Sequence, residues 1–197
     1  REEVPEELLA GCKLFHFGSV SMTAEPARDA TLYAARRAKE LGKLVSYDPN
    51  FRSALWADRD EAIQAMLTGL AFADIVKVSD DEVELLTGCR DFSEGARSLV
   101  SGGAKLALVT AGEQGTWYAS VSGIEGHIGA GDTFLGALLS GLLDYGRDLE
   151  GIPEQKLRRI IRFANVAGAL CATGRGAIAS MPNREQILEQ LEREAEG

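Results

Sequence analysis

The sequence predicts an α/β fold: a mostly parallel central sheet with helices on both faces. Three observations predict it. Short apolar runs alternate along the chain with longer stretches of helical periodicity. Several of the apolar runs, such as Leu106–Val109, show no polar alternation, as expected of strands covered on both faces. Helix start and stop residues fall between the two kinds of segment.

Taken in order, Leu14–Phe17 reads as a strand ending at Gly18-Ser19. Thr23-Ala24-Glu25-Pro26 then starts a helix, with Pro26 in its first turn, that runs to Leu41 and stops at Gly42. Leu44–Asp48 is a second strand, closed by Pro49. Asp58–Phe72 is helical, Asp74–Val78 is a strand, and Asp80–Thr87 is a short helix capped at Gly88. A helix from Ser93 to Ser101 precedes the Gly102-Gly103 turn, then the strands Leu106–Thr110 and Thr116–Val121. Beyond Asp132 the chain is mostly helical, over about residues 132–145, 154–173 and 183–195. Ligands bind such sheets beyond the strand C-termini. That directs attention to Gly18-Ser19, Asp48-Pro49-Asn50, Ser79–Glu82 and Thr110-Ala111-Gly112.

The chain has 197 residues, 45% of them hydrophobic, enough for one globular domain with a real core. Its net charge of −9 and lack of a basic stripe exclude nucleic-acid binding as an expectation. No apolar run reaches membrane-spanning length, and residues 1–7 are polar and acidic rather than a signal peptide. Cys12, Cys89 and Cys171 lie far apart without metal-ligand spacing, and read as buried free thiols of a reducing cytoplasm. His16 reads as a hydrogen-bonded core or rim histidine, Trp56 and Trp117 as packing residues, and Lys77 as a solvent-facing lysine at a strand end.

One run carries chemistry. Gly129-Ala130-Gly131-Asp132 precedes the strongly apolar segment that begins at Phe134. A helix start offers free backbone N–H groups to an anion, and glycines let the backbone approach a ligand closely. An aspartate there could be a plain helix-start carboxylate balancing the macrodipole. Set against an anion pocket, it suits a base that takes a proton from a hydroxyl while the pocket holds developing charge. That pairing points to phosphoryl transfer to an alcohol.

In sequence order, the runs Ser46-Tyr47-Asp48-Pro49-Asn50-Phe51-Arg52, Val76–Glu82 with Leu85–Gly88, and Val109–Gly115 lead to this Gly-Ala-Gly-Asp run. Ala164–Ala169, Gly176-Ala177 and Ser180-Met181-Pro182 follow it. In these residues the chain resembles the ribokinase-like (PfkB) carbohydrate kinases, and through Asp48–Arg52 and Leu55-Trp56 it is most similar to bacterial fructokinases, with 2-keto-3-deoxygluconate kinases second. The resemblance implies a ribokinase-like fold and transfer of the γ-phosphoryl group of MgATP to a sugar hydroxyl, fructose first. It implies that Asp132 is the catalytic base and that Gly129, Ala130 and Gly131 form the anion hole. Thr110, Gly112, Gly115 and Asn165 match the nucleotide site. Ser79 stands where the family motif has Asn, and Glu82 matches the Glu that organises Mg²⁺ through water. Arg52 is implied to reach an anionic group on substrate or ATP. Gly176 and Ser180 match positions lining a monovalent-cation site, so K⁺ is a further expected cofactor.

The resemblance also implies that residues 1–197 form the C-terminal, ATP-binding and catalytic portion of the family's domain. The family's N-terminal sugar motifs and β-sheet lid have no counterpart before Arg1, and its Asp-Thr-Thr segment none before Gly129. Many members dimerise through that lid. Two other classes compete with this reading: a degenerate member that binds nucleotide without catalysis, and a dinucleotide-binding oxidoreductase. The second lacks the glycine fingerprint after a strand.

Overall fold

The computed structural model describes residues 1–128, 134–146, 148–173 and 181–196. The described helices are α1 (Glu6–Gly11), α2 (Ala27–Glu40), α3 (Arg59–Leu70), α4 (Asp80–Thr87), α5 (Phe92–Ser101), α6 (Phe134–Tyr145), α7 (Glu154–Thr173) and α8 (Arg184–Glu196). The strands are β1 (Leu14–Phe17), β2 (Leu44–Tyr47), β3 (Ile75–Ser79), β4 (Leu106–Thr110), β5 (Thr116–Ser120) and β6 (Glu125–Ile128).

The six strands are hydrogen-bonded side by side in chain order. β1, β2 and β3 run parallel, joined by the helical crossovers that parallel pairing requires. The sheet then changes character. β4 and β5 are joined by a tight turn closed from Ala111 N to Gly115 O (2.9 Å), and β5 and β6 by one closed from Ser120 N to Ile124 O (2.9 Å). Such short links make hairpins, so the sheet is mixed. β6 was not expected from the sequence. Its half-exposed residues Glu125-Gly126-His127-Ile128 carry no apolar run and one strong strand former, Ile128. The six-residue α1 was also unforeseen, because it is acidic and buries only Leu9.

The chain divides into two compact units. The first comprises residues 1–109 and 118–125. Its core is the parallel sheet, with Val45, Tyr47, Ile75, Val76, Val78 and Leu106–Val109 all buried. The helices turn mainly small residues inward: Ala34, Ala35 and Ala38 on α2, and Ala62, Ala65 and Gly69 on α3 beside the larger Met66. Small residues let a helix approach the sheet closely, and α3 does so at Gly69. A Cβ there would lie 2.7 Å from the Tyr47 ring. That ring also stacks on Phe17 at 4.5 Å between centroids. Several helix ends follow the expected chemistry. Asp58 caps α3 through Asp60 N, Asp91 caps α5 through Glu94 N, and Gly88 ends α4 in the left-handed conformation.

The second unit comprises residues 110–117 and 126–197. In it Val166 and Ala167 of α7 pack with Ile187 of α8, and Ala137, Phe163, Leu170 and Leu191 surround them. Among the described residues, no helix is long and apolar enough to cross a membrane.

Tyr47 gives a paired test of this packing. Its hydroxyl is buried and has no hydrogen-bond partner among the described residues. Tyr47→Phe removes an unsatisfied group and should leave stability unchanged or raise it by up to about 1 kcal/mol. Gly69→Ala drives a methyl into the ring and should cost about 1–3 kcal/mol. Urea unfolding of the two variants checks both signs.

Candidate functional site

The C-terminal ends of β1, β2 and β3 converge on the turn Asp48-Pro49-Asn50-Phe51-Arg52. The parallel register pairs Ser46 with Ile75 and Tyr47 with Val76, so the next step sets Asp48 beside Lys77. Registered residues of parallel strands share a face. Asp48 and Lys77 meet there, Nζ to Oδ2, at 3.1 Å. The lysine side chain is 22% exposed and the carboxylate 16%. Lys77 is therefore a half-buried ion-pair partner and not the solvent-facing lysine expected from its strand-end position.

The other carboxylate oxygen of Asp48 accepts from Asn50 N at 3.2 Å. This Asx turn holds Asn50 at φ 49°, a left-handed conformation that Asn tolerates better than most residues. On the β1 side, Asp48 N donates to Phe17 O (3.2 Å) and Ser19 N donates to Pro49 O (2.9 Å). His16, two residues back on the same face, places Nδ1 3.3 Å from Ser46 Oγ. Desolvation lowers the affinity of its imidazole for a proton, and the Asp48 charge partly opposes this.

Glu82 closes the turn from the other side. It is buried at 4% exposure. Its Oε1 accepts from Phe51 N at 2.6 Å and its Oε2 from Ser79 N at 2.7 Å. Ser79 Oγ in turn accepts from Glu82 N at 3.3 Å. Ser79 and Glu82 thus form a reciprocal capping box at the start of α4. Asp80, Asp81 and Glu84 crowd around Glu82 at the start of α4. The structure separates them: Glu82 points inward, while Asp80, Asp81 and Glu84 are exposed. Arg52 is exposed and forms no ion pair among the described residues.

Of the residues expected at the nucleotide, Thr110, Gly112, Gly115 and Asn165 fall in the second unit and Ser79 in the first. Gly112 (φ 47°) and Gly115 (φ 101°) bracket the turn after β4 in conformations that disfavour any side chain. Asn165 is 8% exposed, and its Oδ1 is buried without a hydrogen-bond partner among the described residues. A buried acceptor left open in this way is costly unless a ligand or water supplies a donor. Trp117 lies over His127, centroids 4.1 Å apart, and His127 Nε2 is 2.6 Å from Gln114 O. Sequence reasoning assigned His127 nothing, since its strand was not recognised. Gly129, Ala130, Gly131, Asp132, Gly176 and Ser180 lie outside the described residues.

Trp56 sits under the Arg28 guanidinium, 5.9 Å from the ring centroid, consistent with a packing residue. Cys12, Cys89 and Cys171 are free thiols of intermediate exposure, less buried than expected.

The family model described as "pfkB family carbohydrate kinase" matches residues 1–184. A fructokinase-1 from Oryza sativa subsp. japonica is 41% identical over 202 residues, 96% of this chain and 62% of that protein. A double-mutant fructokinase from Vibrio cholerae O395, solved with fructose, ADP and potassium, superposes with a TM-score of 0.79 at 28% identity, over 89% of this chain and 59% of its own. An aminoimidazole riboside kinase from Salmonella enterica, solved with its riboside and an ATP analogue, gives 0.77 at 31% identity, over 89% and 61%. The chain belongs to the pfkB family of carbohydrate kinases. It spans less than two thirds of the length of these relatives.

The capping box yields a direct test. Ser79→Ala removes the acceptor for Glu82 N and should cost about 1 kcal/mol. Ser79→Asn, which restores the residue type of the family motif, should retain most of that stability. Thermal melts of the two variants distinguish a cap from a residue with no structural duty.

Proposed function

We propose that the protein transfers the γ-phosphoryl group of ATP to a hydroxyl of fructose. One observation carries this reading: the 41% identity to a fructokinase over 96% of the chain. The open Asn165 acceptor supports a nucleotide site, since an adenine offers an amino donor. Thr110, Gly112, Gly115 and Asn165 would hold the nucleotide, and ATP when bound supplies the phosphoryl group.

Asp132 takes the proton from the sugar hydroxyl, making a weak nucleophile competent. The backbone N–H groups of Gly129, Ala130 and Gly131 stabilise the charge that develops on the phosphoryl oxygens. Arg52 answers an anionic group of substrate or nucleotide. Glu82 spends one acceptor site of each oxygen on a main-chain N–H, and the second site of each would accept from a water of the Mg²⁺ shell. Mg²⁺ suits such an arrangement, because it retains waters and leans on substrate phosphates. In this reading Glu82 serves Mg²⁺ through water, and Ser79 belongs with the nucleotide contacts. Gly176 and Ser180 are assigned to a monovalent cation, K⁺ first. The free thiols agree with a cytoplasmic setting, and we assign the full-length protein to a homodimer.

The test is ADP release by the full-length gene product against fructose, 2-keto-3-deoxygluconate and a riboside. Fructose should give the highest kcat/KM. A preference for the riboside would transfer the reading to the aminoimidazole riboside kinase class. ATP binding without sugar-dependent ADP release would favour the non-catalytic alternative.

Asp132→Asn should lower kcat by about a hundred- to ten-thousand-fold while nucleotide affinity, measured by titration calorimetry, stays close to that of the parent. Near-normal turnover would remove Asp132 from the role of base.

A further inference from the structure

The turn Asp48–Arg52 is gripped from both sides, and the two grips differ in kind. On the β1 side, among the described residues, backbone groups hold it: Asp48 N to Phe17 O and Ser19 N to Pro49 O. On the β3–α4 side two charged side chains hold it, Lys77 on Asp48 and Glu82 on Phe51 N. Backbone contacts at the end of β2 fix where the turn leaves the sheet. They do not fix its course after Pro49, where the chain enters a left-handed residue and then Arg52.

We propose that Lys77 is a positioning residue, whose contact with Asp48 sets the course of the 48–52 turn and thereby the place from which Arg52 reaches its ligand. Asp48 is the element that Lys77 acts on. One of its oxygens holds Asn50 N in the left-handed conformation while the other is held by the ammonium. Without the cation, Asp48 would be a carboxylate at 16% exposure lacking its counter-charge, and would rotate toward water, releasing Asn50 N. Charge is the required feature, and a lysine stem spans the gap between registered strands. An arginine keeps the charge, whereas a methionine keeps the stem and loses the charge. Arg52 is exposed and carries no competing ion pair among the described residues, so the geometry of the turn governs where its cation is available. This inference rests on the reading of Arg52 as a contact to an anionic group.

The experiment uses the full-length protein, with Lys77→Met and Lys77→Arg compared with the parent. The first readout needs no activity: limited trypsin cleavage at Arg52–Ser53, measured against cleavage at Arg97–Ser98 inside α5, which reports wider unfolding. Lys77→Met should speed the first cut about tenfold relative to the second, and Lys77→Arg should restore most of the protection. The second readout is kinetic. Lys77→Met should raise the KM of the ligand that Arg52 meets more than it lowers kcat, and should add little once Arg52→Ala is present. Unchanged relative cleavage in Lys77→Met, equal acceleration of both cuts, or failure of arginine to rescue would overturn the proposal. Absence of sugar-dependent ADP release by the parent would overturn the kinase reading, while the cleavage pattern would still decide the role of Lys77.

Discussion

The buried carboxylate of Glu82 is the contact on which the rest of this site depends. Its two oxygens accept backbone N–H groups from two segments that lie far apart in sequence, Phe51 after β2 and Ser79 at the end of β3. A carboxylate buried at this depth is costly unless its acceptor sites are filled. Here two main-chain donors fill one site on each oxygen, and charge-assisted bonds of this kind are among the stronger ones in proteins. The consequence is mechanical as well as electrostatic. The start of α4 and the turn after β2 cannot move independently while Glu82 holds both.

The Asp48–Lys77 pair extends the same logic one residue back along each strand. Parallel register makes the pair possible, since neighbouring strands present aligned residues on one face. On the opposite face Tyr47 stacks on Phe17 and presses on the helix at Gly69, so the strand beneath the turn is packed firmly. Burial, with the nearby Glu82 and Asp48 charges, pushes the Tyr47 phenol well above its usual range, which keeps this face neutral. A rigid apolar face below and a charged clamp above place the turn at the sheet edge where α/β proteins bind ligands.

Much of the fold was legible because its signals are local. Asp58, Asp91 and Gly88 mark helix ends by chemistry that acts within a few residues. The strands β2, β3 and β4 announce themselves as apolar runs because both their faces are covered. β6 escaped because it is short, half exposed and carries a glycine, so no periodicity marks it. Candidate site residues can be named from the sequence, but their contacts cannot. Glu82 was singled out by its register with Ser79, yet its bond to Phe51 spans 31 positions and leaves no trace in the local pattern. Lys77 was misread for the same reason, since its partner lies on the neighbouring strand. The orphaned oxygen of Asn165 depends on burial, which spacing along α7 does not reveal.

The two bonds made by Glu82 hold the turn to α4, and amide hydrogen exchange reads both. Glu82→Gln replaces one of the two acceptor oxygens by a donor, so the Phe51 or the Ser79 amide must lose its partner. Exchange at one or both of these amides should accelerate by about tenfold or more, while amides in the middle of β4 keep their protection. Unchanged exchange at both Phe51 and Ser79 would show that Glu82 does not hold the turn to α4, and would contradict the account.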